Sequence, residues 1–207
     1  MSDPGPPLEA WMRRALGLGL ALVTAKTIMV AQHGGVDLRD PWTVPALLHD
    51  HLLTVLLYGG VDLFVRLRGR RRGEEEEAVA GRAMWLVFGL VMLWVAASVP
   101  IARALGAPPS LAALREAGGV TAVVLSGLDL TTALGSAIVL AVGVGSAVRL
   151  ERASRRRVLS LAALVLALVA VLGALARDRV DTAGLEGDPF GVIIQGLGQG
   201  FRALLGG

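Results

Sequence analysis

The chain of 207 residues is 54% hydrophobic and 18% charged, with a mean hydropathy of +0.64. An ordinary soluble domain is about a quarter charged, and the apolar residues here cluster in blocks of about 20. The composition therefore excludes a soluble globular domain and indicates an integral membrane protein. The absence of cysteine excludes disulfides, thiolate metal sites and thiol catalysis. The net charge of +3 is modest, and no nucleic acid partner is predicted.

Five apolar blocks predict five transmembrane helices. Each block can cross a hydrocarbon core about 30 Å thick at a rise of about 1.5 Å per residue. The predicted fold is an all-α membrane protein whose five-helix domain covers residues 1–179, followed by an exit segment at 180–207. The apolar stretch 120–128 indicates that the fourth helix starts early or follows an irregular lead-in. The predicted spans are 12–31, 44–65, 83–101, 130–148 and 158–176.

The arginines predict the orientation of the chain in the membrane. With the N-terminus in the cytoplasm, thirteen arginines fall in cytoplasmic segments and six fall on the opposite side. Basic residues beside helix ends favour the cytoplasmic side. An odd number of spans then places the C-terminus outside, in a multi-pass protein of the plasma (inner) membrane.

Four ionisable residues lie within the apolar blocks near the predicted outer surface. Lys26 and Asp50 each lie about five residues inside a span, and therefore roughly 7–8 Å below the same surface. A lysine inside the membrane is costly alone, so we predict that it pairs with Asp50 or lines a polar pocket with Asp50, His49 and His51. Consecutive residues are rotated by about 100° on a helix, so the two histidines cannot chelate one metal ion together. No metal site is predicted.

The inner end of the second span carries Asp62, four residues before Arg66. This spacing predicts a salt bridge at the helix end. The loop that follows reads RGRRRGEEEE at 68–77 and mixes both signs, which is typical of a self-neutralising turn that also serves as a topology signal. Binding of anionic lipid by its arginines is the alternative interpretation.

The connection at 103–119 predicts a short helix on the outer surface. Pro108 and Pro109 stop an incoming helix, Ser110 can cap a new one, and two glycines at 118 and 119 end it. Arg103 and Arg115 in this segment are candidates for contacting anionic lipid headgroups, because arginine binds phosphate through two hydrogen bonds. Anchoring of the segment at the membrane interface is the alternative role.

Small residues recur at every fourth position of the fourth span, which lets a neighbouring backbone approach closely. Packing within the bundle is one interpretation and a homodimer seam is the other. The row consists of Ala133, Ala137, Ala141 and Gly145.

The segment 180–207 predicts a C-terminal amphipathic helix. Asp188 and Pro189 form a helix start, and apolar residues then recur at helical spacing along one face. The apolar stretch is short and interrupted by glycines, so it favours a helix lying in the membrane interface rather than another span.

Three stretches resemble the membrane domain of lipoteichoic acid synthase-like and sulfatase-like proteins of the alkaline phosphatase superfamily. VPALLHDHLLTVLLYGGVD at 44–62 is similar to the second helix of that family. PIARALGAPPSLAALREAGG at 100–119 is similar to its surface segment, and VDTAGLEGDPFGVIIQGL at 180–197 to the segment that leads into the catalytic domain. The resemblance covers nearly the whole chain.

The resemblance implies a membrane anchor and lipid-presenting domain of a phospho- or sulfo-group transferase or hydrolase. In the family a separate outer domain carries the nucleophile and a divalent metal; no positions of this chain match them, so no cofactor is expected here and no complete active site is found. The implied partners are membrane lipids, including anionic phospholipid, and a fused or separate extracytoplasmic catalytic domain. The alternatives are a small transporter or channel subunit with a polar pocket near Lys26 and Asp50, and a structural partner or oligomer.

Overall fold

The computed structural model describes residues 9–33, 36, 39–150 and 155–176, and all regular elements in these ranges are α-helices. Within these residues four helices, α1, α2, α3 and α6, are long and apolar enough to cross a membrane. The fifth predicted block forms α7, while the predicted helix at 180–207 lies outside the described residues. The helices are α1 (Ala10–His33), α2 (Thr43–Arg70), α3 (Glu74–Leu105), α4 (Leu111–Glu116), α5 (Val120–Gly127), α6 (Leu130–Arg149) and α7 (Arg155–Ala176).

Helix α1 lies at the centre of the bundle, in contact with α2, α3 and α6, while α7 packs against α2. The main core joins Leu18 and Leu22 of α1 to Phe88 and Met92 of α3 and Val139 of α6. All five side chains are almost fully buried. Because these helices are apolar on several sides, the core is formed by the sides that meet and the rest are left for lipid.

Glycines allow α1 and α6 to approach closely. A Cβ atom at Gly17 would lie 2.5 Å from the backbone oxygen of Gly143, and one at Gly143 would lie 3.0 Å from the Cβ atom of Ala21. Small residues at such crossings replace side-chain packing by backbone contact.

The predicted small-residue row makes no such contact with the part of the bundle that the structure describes. Ala133, Ala137 and Ala141 are exposed, and a Cβ atom at Gly145 would meet no described atom within 4 Å. The interpretation of this row as the packing face of the bundle is therefore wrong. The buried face of α6 is displaced around the helix and consists of Thr132, Gly135, Val139, Gly143 and Ala147. The homodimer seam stays a prediction.

A serine of α6 compensates for the proline inside α3. Pro100 has no N–H to donate to the carbonyl oxygen of Ala96, four residues earlier. The hydroxyl group of Ser136 donates to that oxygen instead, at 2.8 Å. A buried carbonyl group is thus satisfied by a neighbouring helix, which joins α3 to α6.

The predicted short helix is confirmed as α4 and is followed by a second short helix, α5; its place on the outer membrane surface stays a prediction. Ser110 caps α4 and its side chain accepts a hydrogen bond from the backbone N–H of Ala113 at 3.2 Å. Gly118 and Gly119 end it with positive φ angles of 86° and 99°, which cost glycine little. The stretch predicted to be an early start or lead-in of the fourth span is therefore a separate helix, α5.

Candidate functional site

Helices α4 and α5 form a ledge against the C-terminal part of α3, and we call residues 110–127 the α4–α5 shelf. Ile101 of α3, Leu114 of α4 and Val123 of α5 are buried together beneath the shelf. A Cβ atom at Gly127 would overlap the carbonyl oxygen of Pro100 and lie 2.8 Å from its carbon. Glycine is therefore required at position 127 for α5 to lie this close to α3.

Both arginines that the sequence indicated as headgroup contacts lie at this end of the bundle and are exposed. Arg103 lies in the last turn of α3 and Arg115 in the last turn of α4. A cation at a helix C-terminus is stabilised by the carbonyl groups that face it. Both arginines are therefore exposed residues at helix C-termini.

Asp129 fixes the connection from the shelf to α6. Its carboxylate accepts from the backbone N–H of Thr132 at 2.7 Å, and the Thr132 hydroxyl group accepts from the backbone N–H of Asp129 at 2.9 Å. This reciprocal arrangement is a capping box. The N–H and hydroxyl groups of Thr132, and to a lesser extent the positive charge of Arg103, hold the pKa of Asp129 below its usual value.

Large apolar side chains are exposed at the end of the shelf and in the residues that follow it. Leu125 and Leu128 are 66% and 50% exposed, and Leu130, at the start of α6, is 86% exposed. Exposed leucines next to arginines are costly in water but are stabilised at the boundary between hydrocarbon and headgroups. The shelf thus has the composition of a surface that lies in a membrane interface.

The polar residues predicted to form a pocket occupy different environments. Lys26 and His51 are buried, at 3% and 4% exposure, whereas His49 and Asp50 are half-buried. Val30 of α1 packs on Leu47 of α2, and one turn deeper the same two helix faces carry Lys26 and His51. The register therefore brings Lys26 to the level of His51, with Asp50 adjacent in sequence. The Lys26–Asp50 ion pair stays a prediction.

His49 lies where α7 crosses α2. A Cβ atom at Gly173 would lie 2.8 Å from Nδ1 of His49 and 2.9 Å from the backbone oxygen of Pro45. Nδ1 of His49 is buried and has no hydrogen-bond partner among the described residues. The glycine in α7 therefore makes room for the histidine ring, a contact that sequence reasoning did not predict.

At the opposite end of the bundle, the prediction for Asp62 was wrong. Its carboxylate binds Arg14 of α1, not Arg66: Nε donates to Oδ2 and Nη2 donates to Oδ1, both at 2.7 Å. The two side chains are 2% and 0% exposed. The Arg14 guanidinium also lies 5.1 Å from the ring centroid of Trp85. Asp62 turns toward α1 because that face of α2 is buried, whereas Arg66 lies further along, beside the first turn of α3.

Arg66 instead joins a network around Glu77. The Glu77 carboxylate accepts from Nε of Arg66 at 3.2 Å and from Nε of Arg70 at 3.0 Å. Arg66 also forms an ion pair with Glu9, at 3.4 Å. Glu77 therefore neutralises Arg66 and Arg70, so the self-neutralisation predicted for this loop holds for some of its arginines.

Sequence reasoning missed the Arg14–Asp62 pair because it counted Arg14 only as an orientation signal. A charge on each of two consecutive apolar segments, both at the predicted inner end, was the available signal. Among the described residues, no group of three or more His, Cys, Asp or Glu side chains is placed to hold a metal ion.

No protein-family model matches the chain, and neither a curated protein nor a solved structure matches it at a significant level.

Proposed function

We propose that the chain is the membrane anchor and lipid-presenting domain of a phospho- or sulfo-group transferase or hydrolase of the lipoteichoic acid synthase-like class. The catalytic domain belongs to a fused continuation or a separate chain. The α4–α5 shelf lies in the outer interface and holds an anionic phospholipid headgroup within reach of that domain.

The observation that carries the proposal is the presence of exposed arginines and exposed leucines on the shelf and on the residues that flank it. Arg103 and Arg115 supply guanidinium groups that bind phosphate oxygens in pairs. Leu125 and Leu128 are exposed and supply the apolar side chains that lie in the hydrocarbon. The capping box at Asp129 and the close contact of Gly127 with Pro100 keep the shelf rigid, which lowers the entropy lost on lipid binding.

The proposal includes the orientation of the chain. Five spans, with α7 as the fifth, place the N-terminus in the cytoplasm and the shelf and C-terminus outside the plasma membrane. The four apolar helices support membrane insertion, and the arginine distribution supports this direction. The segment 180–207 then connects α7 to the catalytic domain.

The test measures retention of phosphatidylglycerol by the purified chain in phosphatidylcholine nanodiscs, by native mass spectrometry. Arg103→Gln combined with Arg115→Gln is expected to weaken retention roughly tenfold or more, since each basic residue near an anionic surface contributes about 1 kcal/mol. The matched control is Arg82→Gln combined with Arg149→Gln, which removes two exposed arginines at the other end of the bundle. Equal losses in the two variants would refute a specific site on the shelf.

A second measurement tests the link to catalysis. A lipoteichoic acid synthase-like catalytic domain fused after Gly207 is expected to process phosphatidylglycerol, and the shelf variant to raise KM for the lipid while leaving turnover of a soluble phosphodiester unchanged. The chain alone, supplied with Mn²⁺ or Mg²⁺, is expected to be inert. Turnover by the chain alone would overturn the proposal.

A further inference from the structure

The C-terminal end of α2 presents a second lipid-facing surface, at the opposite end of the bundle from the shelf. A surface groove there is lined by Phe64, Leu67, Arg68, Arg71 and Arg72. Phe64 and Leu67 are 63% and 47% exposed, and the three arginines are exposed as well. Apolar and basic side chains thus meet on one exposed patch.

The patch continues an apolar stripe that runs along α2. Leu57, Val61 and Phe64 are exposed at spacings of four and three residues, and Arg68 and Arg71 follow at the same spacings. Residues at these intervals lie on one helix face. The stripe is therefore hydrophobic along the middle of the helix and becomes basic at its C-terminal end, with Arg68 in the last turn and Arg71 at the C-cap. This is the polarity of a phospholipid from acyl chain to headgroup.

The structure separates the arginines of this loop into two sets. Arg66 and Arg70 donate to Glu77, and Arg72 lies 3.4 Å from Glu76. By contrast, Arg68 and Arg71 have no ion-pair partner among the described residues. The glutamates of α3 therefore neutralise one set and leave two positive charges on the α2 stripe.

We infer that Arg68 and Arg71, together with Phe64 and Leu67, form a binding site for an anionic phospholipid of the leaflet that borders this end of the bundle. In the orientation proposed above this is the cytoplasmic leaflet. Arg68 and Arg71 bind the phosphate group, and Phe64 and Leu67 contact the acyl chains. Because both side chains are guanidinium groups, which bind phosphate oxygens in a planar geometry, the site requires a negatively charged headgroup.

The experiment measures how many phosphatidylglycerol molecules the full chain retains in nanodiscs of phosphatidylglycerol and phosphatidylcholine. Arg68→Gln combined with Arg71→Gln is expected to lower the affinity of this site roughly tenfold or more, so that the chain retains fewer phosphatidylglycerol molecules while lipid at the shelf is kept. Arg82→Gln combined with Arg149→Gln has the same net charge and is expected to retain lipid as the unmodified chain does. Helicity by circular dichroism and monodispersity report that each variant is folded.

A photocrosslinker locates the lipid directly. p-Benzoylphenylalanine in place of Leu67 is expected to crosslink phosphatidylglycerol, and the yield is expected to fall severalfold when Arg68 and Arg71 are glutamine. A yield that does not depend on these arginines, or equal losses of retention in both double variants, would overturn the inference. Displacement of the lipid by millimolar inorganic phosphate would equally overturn it, because the site would then recognise free phosphate. The shelf variant Arg103→Gln/Arg115→Gln leaves this crosslink unchanged, so the two proposals fail separately.

Discussion

The Arg14–Asp62 ion pair is a single buried contact whose loss is expected to lower the stability of the bundle. Two hydrogen bonds of 2.7 Å join the side chains, and the protein excludes solvent from both. Removing one partner leaves an unpaired buried charge, which typically costs about 3–5 kcal/mol, whereas replacing both with apolar residues costs far less.

A double-mutant cycle tests this pair. Arg14→Met and Asp62→Leu are each expected to lower stability by about 3 kcal/mol or more, and the double variant by much less than the sum. Thermal unfolding in detergent is the measurement. The control cycle pairs Asp62→Leu with Arg66→Gln, where additive effects are expected. If the cycles showed that Asp62 is coupled to Arg66 and not to Arg14, they would support the Asp62–Arg66 salt bridge that the sequence spacing predicted.

Asp129 makes a pH-dependent contribution. Because its pKa is lowered in the folded chain, its stabilising effect is fully present above the unfolded-state pKa and is lost as the pH falls through the folded value. The temperature midpoint of unfolding is therefore expected to decrease as the pH falls below 3.8, the ordinary pKa of an aspartate. Asp129→Asn keeps a capping side chain without its titration, and its midpoint is expected to fall less between pH 5 and pH 3 than that of the unmodified chain. Identical pH profiles would show that the capping carboxylate contributes nothing.

At the scale of elements, the Ser136–Ala96 hydrogen bond exists because of Pro100. Ser136→Ala is expected to destabilise the bundle by about 1–3 kcal/mol, since it leaves a buried carbonyl group unsatisfied. In a Pro100→Ala background the backbone N–H of residue 100 can donate to Ala96, and the same serine substitution is expected to be nearly neutral. Chemical unfolding of the four variants gives the coupling; equal effects in both backgrounds would disprove the compensation.

Two substitutions of glycine, one in α1 and one in α6, test which face of α6 packs against the bundle. Gly17→Ala is expected to destabilise the bundle because the new Cβ atom meets the backbone of α6. Gly145→Ala meets no described atom and is expected to be neutral or to stabilise the helix by up to about 1 kcal/mol. Unfolding midpoints of the two variants decide. Damage by Gly145→Ala that appears only at high protein concentration would point to the homodimer seam.

The sequence predicted where helices occur much better than which sides of them meet. Apolar run length is set by the bilayer, so the predicted spans lie within α1, α2, α3 and α6, although α3 begins nine residues before its predicted span. Local chemistry predicted the Ser110 cap. The Arg14–Asp62 contact joins residues 48 positions apart, and the buried face of α6 depends on glycines of α1. Neither follows from one helix alone, because these helices are apolar on several sides.

For the whole molecule, the orientation is the prediction with the widest reach. We expect Gly207 to lie outside the cytoplasm and Gly73 to lie inside it. Alkaline phosphatase is therefore expected to be active when fused after Gly207 but not when inserted at Gly73, and green fluorescent protein is expected to show the opposite pattern. Activity of alkaline phosphatase and of green fluorescent protein at each position is the measurement. If Gly207 were found in the cytoplasm, α7 would not cross the membrane as the fifth span. The shelf would then need a different role.

The Arg14–Asp62 contact also constrains biogenesis. Asp62 makes α2 less favourable to insert as a lone segment, because an aspartate in an apolar segment opposes membrane insertion on translocon scales. With α1 already in place, Arg14 offsets that charge. The first two segments are therefore expected to enter the bilayer as a hairpin, with the earlier one acting as an intramolecular chaperone for its successor.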